Sequence, residues 1–201
     1  MSFSADDGPA SPVVRVRATD DAGLTATAQQ TVMVGNIAPS ATFGAPASSF
    51  AGFPFTLALS SVSDPSAADT AAGFRYAFDC GDGSGYGAFG SSASTSCSTT
   101  DVGVRSVGGK VRDKDGGIRE YTATVNVTVT FDSLCALVRS YARRQSDADA
   151  LCAKLADAAT GDKENKLNAF RNMVDAKTGL EPGKSFTAEQ GALLKLLSRR
   201  L

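Results

Sequence analysis

The chain has 201 residues, 20 of them basic and 21 acidic, for a net charge of −1; no overall field draws it to nucleic acid or to an anionic membrane surface. It contains no histidine, which removes the side chain that titrates near neutral pH, the most usual general base and a frequent zinc ligand, and so excludes most hydrolase constellations. Tryptophan is also absent, which demotes a sugar-stacking platform without dismissing it.

The amino terminus, MSFSADDGPASP, is acidic and polar where a signal peptide is basic and then apolar. No apolar run approaches the ~20 residues of a membrane span. The expectation is a soluble portion of a longer secreted protein. From here to about residue 130, short runs alternate with period two: VVRVRA at 13–18, FTLAL at 55–59 and TATVNVTV at 122–129. Separated by turn formers, these are strand signals. Beyond Phe131, Leu, Ala, Lys and Arg recur at spacings of three and four, the period of helices.

An internal repeat survives a gapless shift of 93 residues. Val14, Asp20, Gly23, Thr31, Val32 and Val34 fall on Val107, Asp113, Gly116, Thr124, Val125 and Val127. Tandem modules of about ninety residues produce such a pattern. The first copy holds only closing strands, residues 1–36, and the second is complete over 37–130. A truncated sandwich leaves an apolar face and an edge without partners. The short copy is expected to pack as a hairpin against the complete module, the alternatives being strand exchange with another chain or mobility.

The stretch YAFDCGDGS (76–84) is the part of the chain most like an active site. Tyr76 and Phe78 belong on one face of a strand, with Ala77 and Asp79 on the other. Gly81 and Gly83 permit backbone angles closed to other residues, and Asp79 and Asp82 accept bonds from turn amides. A plain turn explains the pattern. The competing reading is calcium, held by Asp79, Asp82, Asp113 and Asp115, with Asp132 in reserve, although DKDGGI lacks the remaining acidic positions of a calcium-binding helical loop. GDGSGYGAFG (81–90) has no lysine and no phosphate-loop ending. Tyr86 and Phe89 are candidate ligand-binding rings, and Ser84 with Lys110 is an example of a Ser/Lys pair an enzyme could use; no reaction is expected of it.

YAFDCGDGS resembles the signature strand of the PKD repeats of bacterial secreted and surface proteins, with Phe78 where that family has Trp and Cys80 where it has Phe. DVGVRSVGGKVRDKDGGI (101–118) and NIAPSATF (36–43) are similar to the family's later strand-turn and to its joint between repeats. The resemblance implies an immunoglobulin-like β-sandwich, used as a non-catalytic spacer or adhesion module outside the cell, whose partners are other extracellular domains or surface glycans.

Cys80 and Cys97 are 17 residues apart, as are Cys135 and Cys152. Four cysteines permit three pairings and the sequence does not choose among them. Pairing within each domain is simplest, each clip stabilising by about 3 kcal/mol in the chain-entropy account. Two bridges would place the chain in an oxidising compartment.

Residues 131–201 hold four amphipathic segments. The first starts at Asp132 or Ser133 and carries Leu134, Leu137, Val138 and Tyr141 inward. The second starts at Ser146 and ends at Gly161, the third spans KENKLNAFRNMVDAK, and Thr187 to Gln190 forms a capping box for the fourth. They make a small all-α bundle. SLCALVRSY, LCAKL and LNAFRNMV resemble pieces of the FIMAH-type bundles of secreted bacterial proteins, which implies an accessory module. Arg139, Arg143, Arg144, Arg199 and Arg200 are a candidate basic patch, more ordinarily a solvated surface. The reading is therefore a PKD-type sandwich followed by a helical bundle, without catalysis and without a cofactor unless calcium binds. Calcium-dependent carbohydrate binding or adhesion and a strand-exchanging subunit are the alternatives.

Overall fold

The computed structural model describes residues 7–201. The expectation for residues 1–36 includes six that lie outside this range. Nine strands come first, interrupted by one short helix, and four helices follow.

Strands β1 (Val13–Thr19) and β2 (Thr25–Thr31) form a two-stranded antiparallel sheet of their own. The following strands are β3 (Ser40–Gly44), β4 (Ser48–Phe50) and β5 (Phe55–Ser63). After helix α1 (Ala67–Ala72) come β6 (Arg75–Asp79), β7 (Ser94–Cys97), β8 (Gly103–Arg112) and β9 (Ile118–Thr128). One sheet has the order β3-β5-β7 and the other β4-β9-β8-β6, with β4 parallel to β9. Alternation along the strands turns Phe55, Leu57 and Leu59 from the first sheet, and Val107, Val111, Val125 and Val127 from the second, into one buried core. Gly109 lies beneath the Phe43 ring, and a Cβ there would fall 2.8 Å from it. The sandwich is thus closed tightly at a position where a larger side chain has no room.

The repeat seen in the sequence is matched in the backbone. Each of the seven pairs of β1 and β2, from Val13 opposite Thr31 to Thr19 opposite Thr25, falls on a β8–β9 pair after the same shift, Ser106 opposite Thr124 through Arg112 opposite Ile118. The turns match as well. Asp20 Oδ1 accepts from the amides of Ala22 and Leu24, and Asp113 Oδ1 accepts from Asp115 and Gly117.

Burial is where the two hairpins differ. All of β2 and all but Val14 of β1 are exposed, and Val16 is 60% exposed. The expected docking of this hairpin on the complete module is not formed. Among the described residues, neither outer edge of the β1–β2 pair continues into another strand, whereas β8 is flanked by β6, and β9 by β4. At its base the hairpin is closed on itself by Gly8 N–H to Gly35 O and Ile37 N–H to Asp7 Oδ1, and Asn36 Nδ2 donates to Asp113 Oδ2 of the sandwich.

The chain leaves β9 almost directly into α2 (Phe131–Tyr141), whose start lies one or two residues earlier than Asp132 or Ser133 because Thr130 and Ser133 cap each other. Then follow α3 (Gln145–Thr160), α4 (Lys163–Lys177) and α5 (Ala188–Ser198). α3 packs between α2 and α4, and α5 closes the group against α4 and α2. Leu134, Leu137, Leu151, Leu155, Phe170, Phe186 and Leu194 are buried there, and the cluster runs without interruption into the sandwich core.

At α3 the expected start at Ser146 is displaced: Arg144 occupies the cap position, and its side chain does not cap the helix amides. Asp147, in the first turn of the helix, is buried. It is paired with Lys177 at 2.8 Å and Arg144 at 2.9 Å and accepts from Ser185 Oγ. Burial alone would raise this carboxyl. The bonds from Lys177, Ser185 and Arg144 outweigh it and hold the group at about 2.

Candidate functional site

β6 carries the motif as expected. Tyr76 and Phe78 lean toward the inner side, opposite Val111 and Gly109, while Ala77 and Asp79 occupy the other face, opposite Lys110 and Gly108. Asp79 Oδ1 accepts from the Gly81 amide, and Asp82 Oδ1 accepts from both the amide and the hydroxyl of Ser84. Those two bonds hold the Asp82 carboxyl below its ordinary value. Gly81 has φ +67°, and a Cβ there would lie 2.4 Å from Ser106 O. Any larger residue would force the strand end away from β8.

The four aspartates proposed for calcium split into two groups. Asp79 sits opposite Gly108, while Asp113 follows Arg112 at the other end of the same ladder. Five residues of strand, about 17 Å, separate them. No single ion reaches both. Asp113 is buried and filled by the amides of Asp115 and Gly117 and by Asn36 Nδ2; Asp115 bonds Lys114. Asp132 lies in the first turn of α2, outside the sandwich strands.

Ser84 and Lys110 are not brought together. Ser84 is held by Asp82, and Lys110 Nζ lies 4.0 Å from the Tyr86 ring centre and 3.2 Å from Glu120. Tyr86 and Phe89 were expected as exposed rings. Both are partly buried, because the glycine-rich excursion after β6 folds back over the outer face of the four-stranded sheet. The Tyr86 hydroxyl rests on Gly108 and donates to Glu120 at 2.9 Å, and Arg112 covers Phe89 at 4.3 Å. Burial, then the bond to Glu120, pushes the Tyr86 phenol up; the same bond, with Lys110, lowers Glu120. Each ring already has a cation against it, so a sugar would have to displace one.

Both disulfides expected from domain-local pairing are present. Cys80, just past β6, joins Cys97 on β7 and so ties the two sheets together; Cys135 of α2 joins Cys152 of α3. Of the basic patch, Arg144 is engaged with Asp147 and the carbonyl of Gly183, and Arg139 faces Asp149 at 4.0 Å.

Two features lay beyond sequence reasoning. One is an open groove of about 720 Å³ beside β4 and the start of β5, lined by Phe50, Phe53, Phe55, Pro46 and Pro54. Its residues come from one contiguous stretch, in which Phe50 is 47% exposed and Phe55 is buried. The other is a set of carboxylates from Asp7, Asp64 and Asp69, residues up to 62 apart in the chain (69 minus 7), with one oxygen of each within 4.8 Å of the others. No spacing rule joins them.

No family model matches the chain, and no curated protein matches it. Solved structures overlap parts of it. A carbohydrate-binding module structure from the β-sandwich superfamily aligns over 46% of this chain at 25% identity, with a TM-score of 0.39. This chain spans only 35% of that structure's length. The PKD1 domain of Vibrio anguillarum Epp aligns over 46% of this chain and 96% of its own at 26% identity, TM-score 0.34. The PKD domain of an M14-like peptidase from a Thermoplasmatales archaeon covers 45% and 92% at 20% identity, TM-score 0.34.

Proposed function

We propose that the chain is a non-catalytic extracellular accessory segment, a spacer and association module set in series with other domains. The observation that carries this reading is the repetition of the β8–β9 hairpin by β1–β2, pair for pair and turn for turn. Serial units of one design are how extended spacers are built. In this reading residues 1–36 are the closing strands of a partial PKD-like repeat, 37–130 a complete immunoglobulin-like one, and 131–201 a FIMAH-like bundle. The two disulfides support an oxidising location such as the cell surface or the medium. Among the described residues, no helix is long and apolar enough to cross a membrane.

A second reading, glycan binding, is favoured by the groove of Phe50 and Phe53 rather than by Tyr86 and Phe89, whose rings are covered. Aromatic rings with open faces are what sugar rings stack on. A strand-exchanging role draws on the unpaired edges of the first hairpin. An array of surface polysaccharides and oligosaccharides, probed with the full chain, separates the first two. The spacer reading expects no saturable binding. Binding of one glycan class that Phe50→Ala weakens tenfold or more would replace it.

A further inference from the structure

At the joint between the first hairpin and the sandwich, three acidic side chains from separate segments converge. Asp7 precedes β1 and is fixed through Oδ1 by the amides of Gly8 and Ile37. Asp64 follows β5 and uses Oδ1 to accept from Ser66 N–H. Asp69 lies in α1 and is completely buried. One oxygen from each lies within 4.8 Å of the other two.

Close acidic groups on a surface are common, but this trio is not exposed and is only partly satisfied. Asp7 Oδ2, Asp64 Oδ2 and both oxygens of Asp69 are shut off from solvent and lack hydrogen-bond partners, as is Asn36 Oδ1 on the same linker. Lys114 Nζ pairs with Asp69 Oδ1 at 3.0 Å, and the same ammonium is shared with Asp115. Buried carboxylate oxygens without partners are strongly unfavourable unless a cation or a proton meets them. Burial raises the Asp64 carboxyl, with Asp69, Asp7 and Asp113 adding to the effect. Asp69 is raised by burial but held low overall by the side chains of Lys114 and Ser66.

We propose that Asp7, Asp64 and Asp69 form a calcium site that pins the amino-terminal hairpin to the sandwich. The donors are all oxygens. The chain has no histidine and its cysteines are bonded in disulfides, so no nitrogen or sulfur ligand is at hand for a softer metal. Two oxygens bound at the calcium distance of about 2.4 Å on opposite sides of one ion are about 4.8 Å apart, so the trio's spacing admits a single ion. The one ammonium beside the three carboxylates is shared with Asp115, so the cluster keeps an excess of negative charge that a divalent cation offsets. Asn36 Oδ1 and water are available to complete an irregular shell, which calcium accepts more readily than magnesium does. The consequence is mechanical: Asp7 and Asn36 belong to the hairpin and its linker, Asp64 and Asp69 to the sandwich, so one ion fixes the angle between successive units. This site is separate from the aspartates of the glycine turn and does not depend on the spacer reading.

The test is calorimetric titration of calcium chloride into the full chain after treatment with EDTA, with thermal melts alongside. One site is expected, with a dissociation constant of about 0.1 to 1 mM, the range of extracellular modules. At about tenfold excess over that constant the melting temperature rises by roughly 3 to 6 °C. Asp64→Asn weakens binding at least tenfold and, by removing a buried like charge, melts no lower than the parent chain in EDTA. Asp7→Asn, at a half-buried position, gives the same loss of affinity as a second variant, and Asp79→Asn leaves binding unchanged. Neither saturable heat nor a melting shift at about 10 mM calcium in the parent chain would overturn the proposal. So would binding that both Asp64→Asn and Asp7→Asn retain.

Discussion

Leu137→Ala is expected to destabilise the chain by about 4 kcal/mol, toward the upper part of the range for buried leucine truncations. Leu137 is 1% exposed on the face of α2 that meets the sandwich. Its two methyls lie against the backbone of Gly52, close enough that a Cβ on that glycine would fall 2.5 Å from one of them. The loop around Gly52 is itself held, by Gly52 N–H to Thr99 O and Ala51 N–H to Thr128 O. Two hydrogen-bonded surfaces face each other across the leucine, so neither can relax far into the space its removal leaves. The lost volume therefore remains largely a cavity. Because the same side chain links the sandwich core to the helical core, calorimetry should show the single transition of the parent chain broadening or dividing. Leu180→Ala, at a position 90% exposed, should change stability by less than about 0.5 kcal/mol.

Replacing Cys80 and Cys97 together by alanine should lower stability by about 3 kcal/mol, read from denaturant midpoints of folded chain. The bridge closes 17 residues, most of them the glycine-rich excursion, and freeing it lets the unfolded chain explore far more conformations. It also joins β6 of one sheet to β7 of the other. Loss of the bridge should therefore act first on β7, a four-residue strand at a sheet edge. The same change at Cys135 and Cys152 acts on α2 and α3, in a different part of the chain, and the two effects should add. A combined loss of about 6 kcal/mol is as large as the whole stability of many domains, so the fully reduced chain is expected to be largely unfolded at 37 °C.

Local features were legible because local physics determines them. The alternation of Tyr76, Ala77, Phe78 and Asp79 sets which side chains face inward in any strand that contains it. Thr187 and Gln190 cap α5 as their spacing requires. The repeat of 93 residues was readable down to its turn aspartates, since Asp20 and Asp113 perform the same bonding. What failed to emerge was set by distance in the fold. Asp79 and Asp113 appear in similar glycine-rich turns, but strand register places them at opposite ends of a ladder. Tyr86 and Phe89 looked free because the cations over them, Lys110 and Arg112, come from another strand. Nothing local marked Asp147 for burial, because Lys177 and Ser185, from α4 and the loop after it, draw it inside. The short helix α1 escaped notice inside SDPSAADTAAG, a stretch whose proline and serines read as loop, and with it Asp69.

Amide hydrogen exchange on the oxidised full chain tests the central claim, that sandwich and carboxyl-terminal helices share one continuous core and are preceded by an open copy of the β8–β9 hairpin. The slowest amides of β5, β8, β9, α2 and α3 should share a single opening free energy within about 1 kcal/mol, with the amides of β1 and β2 exchanging orders of magnitude faster. Helices that open well before the sandwich, or a first hairpin protected as strongly as β8 and β9, would contradict it.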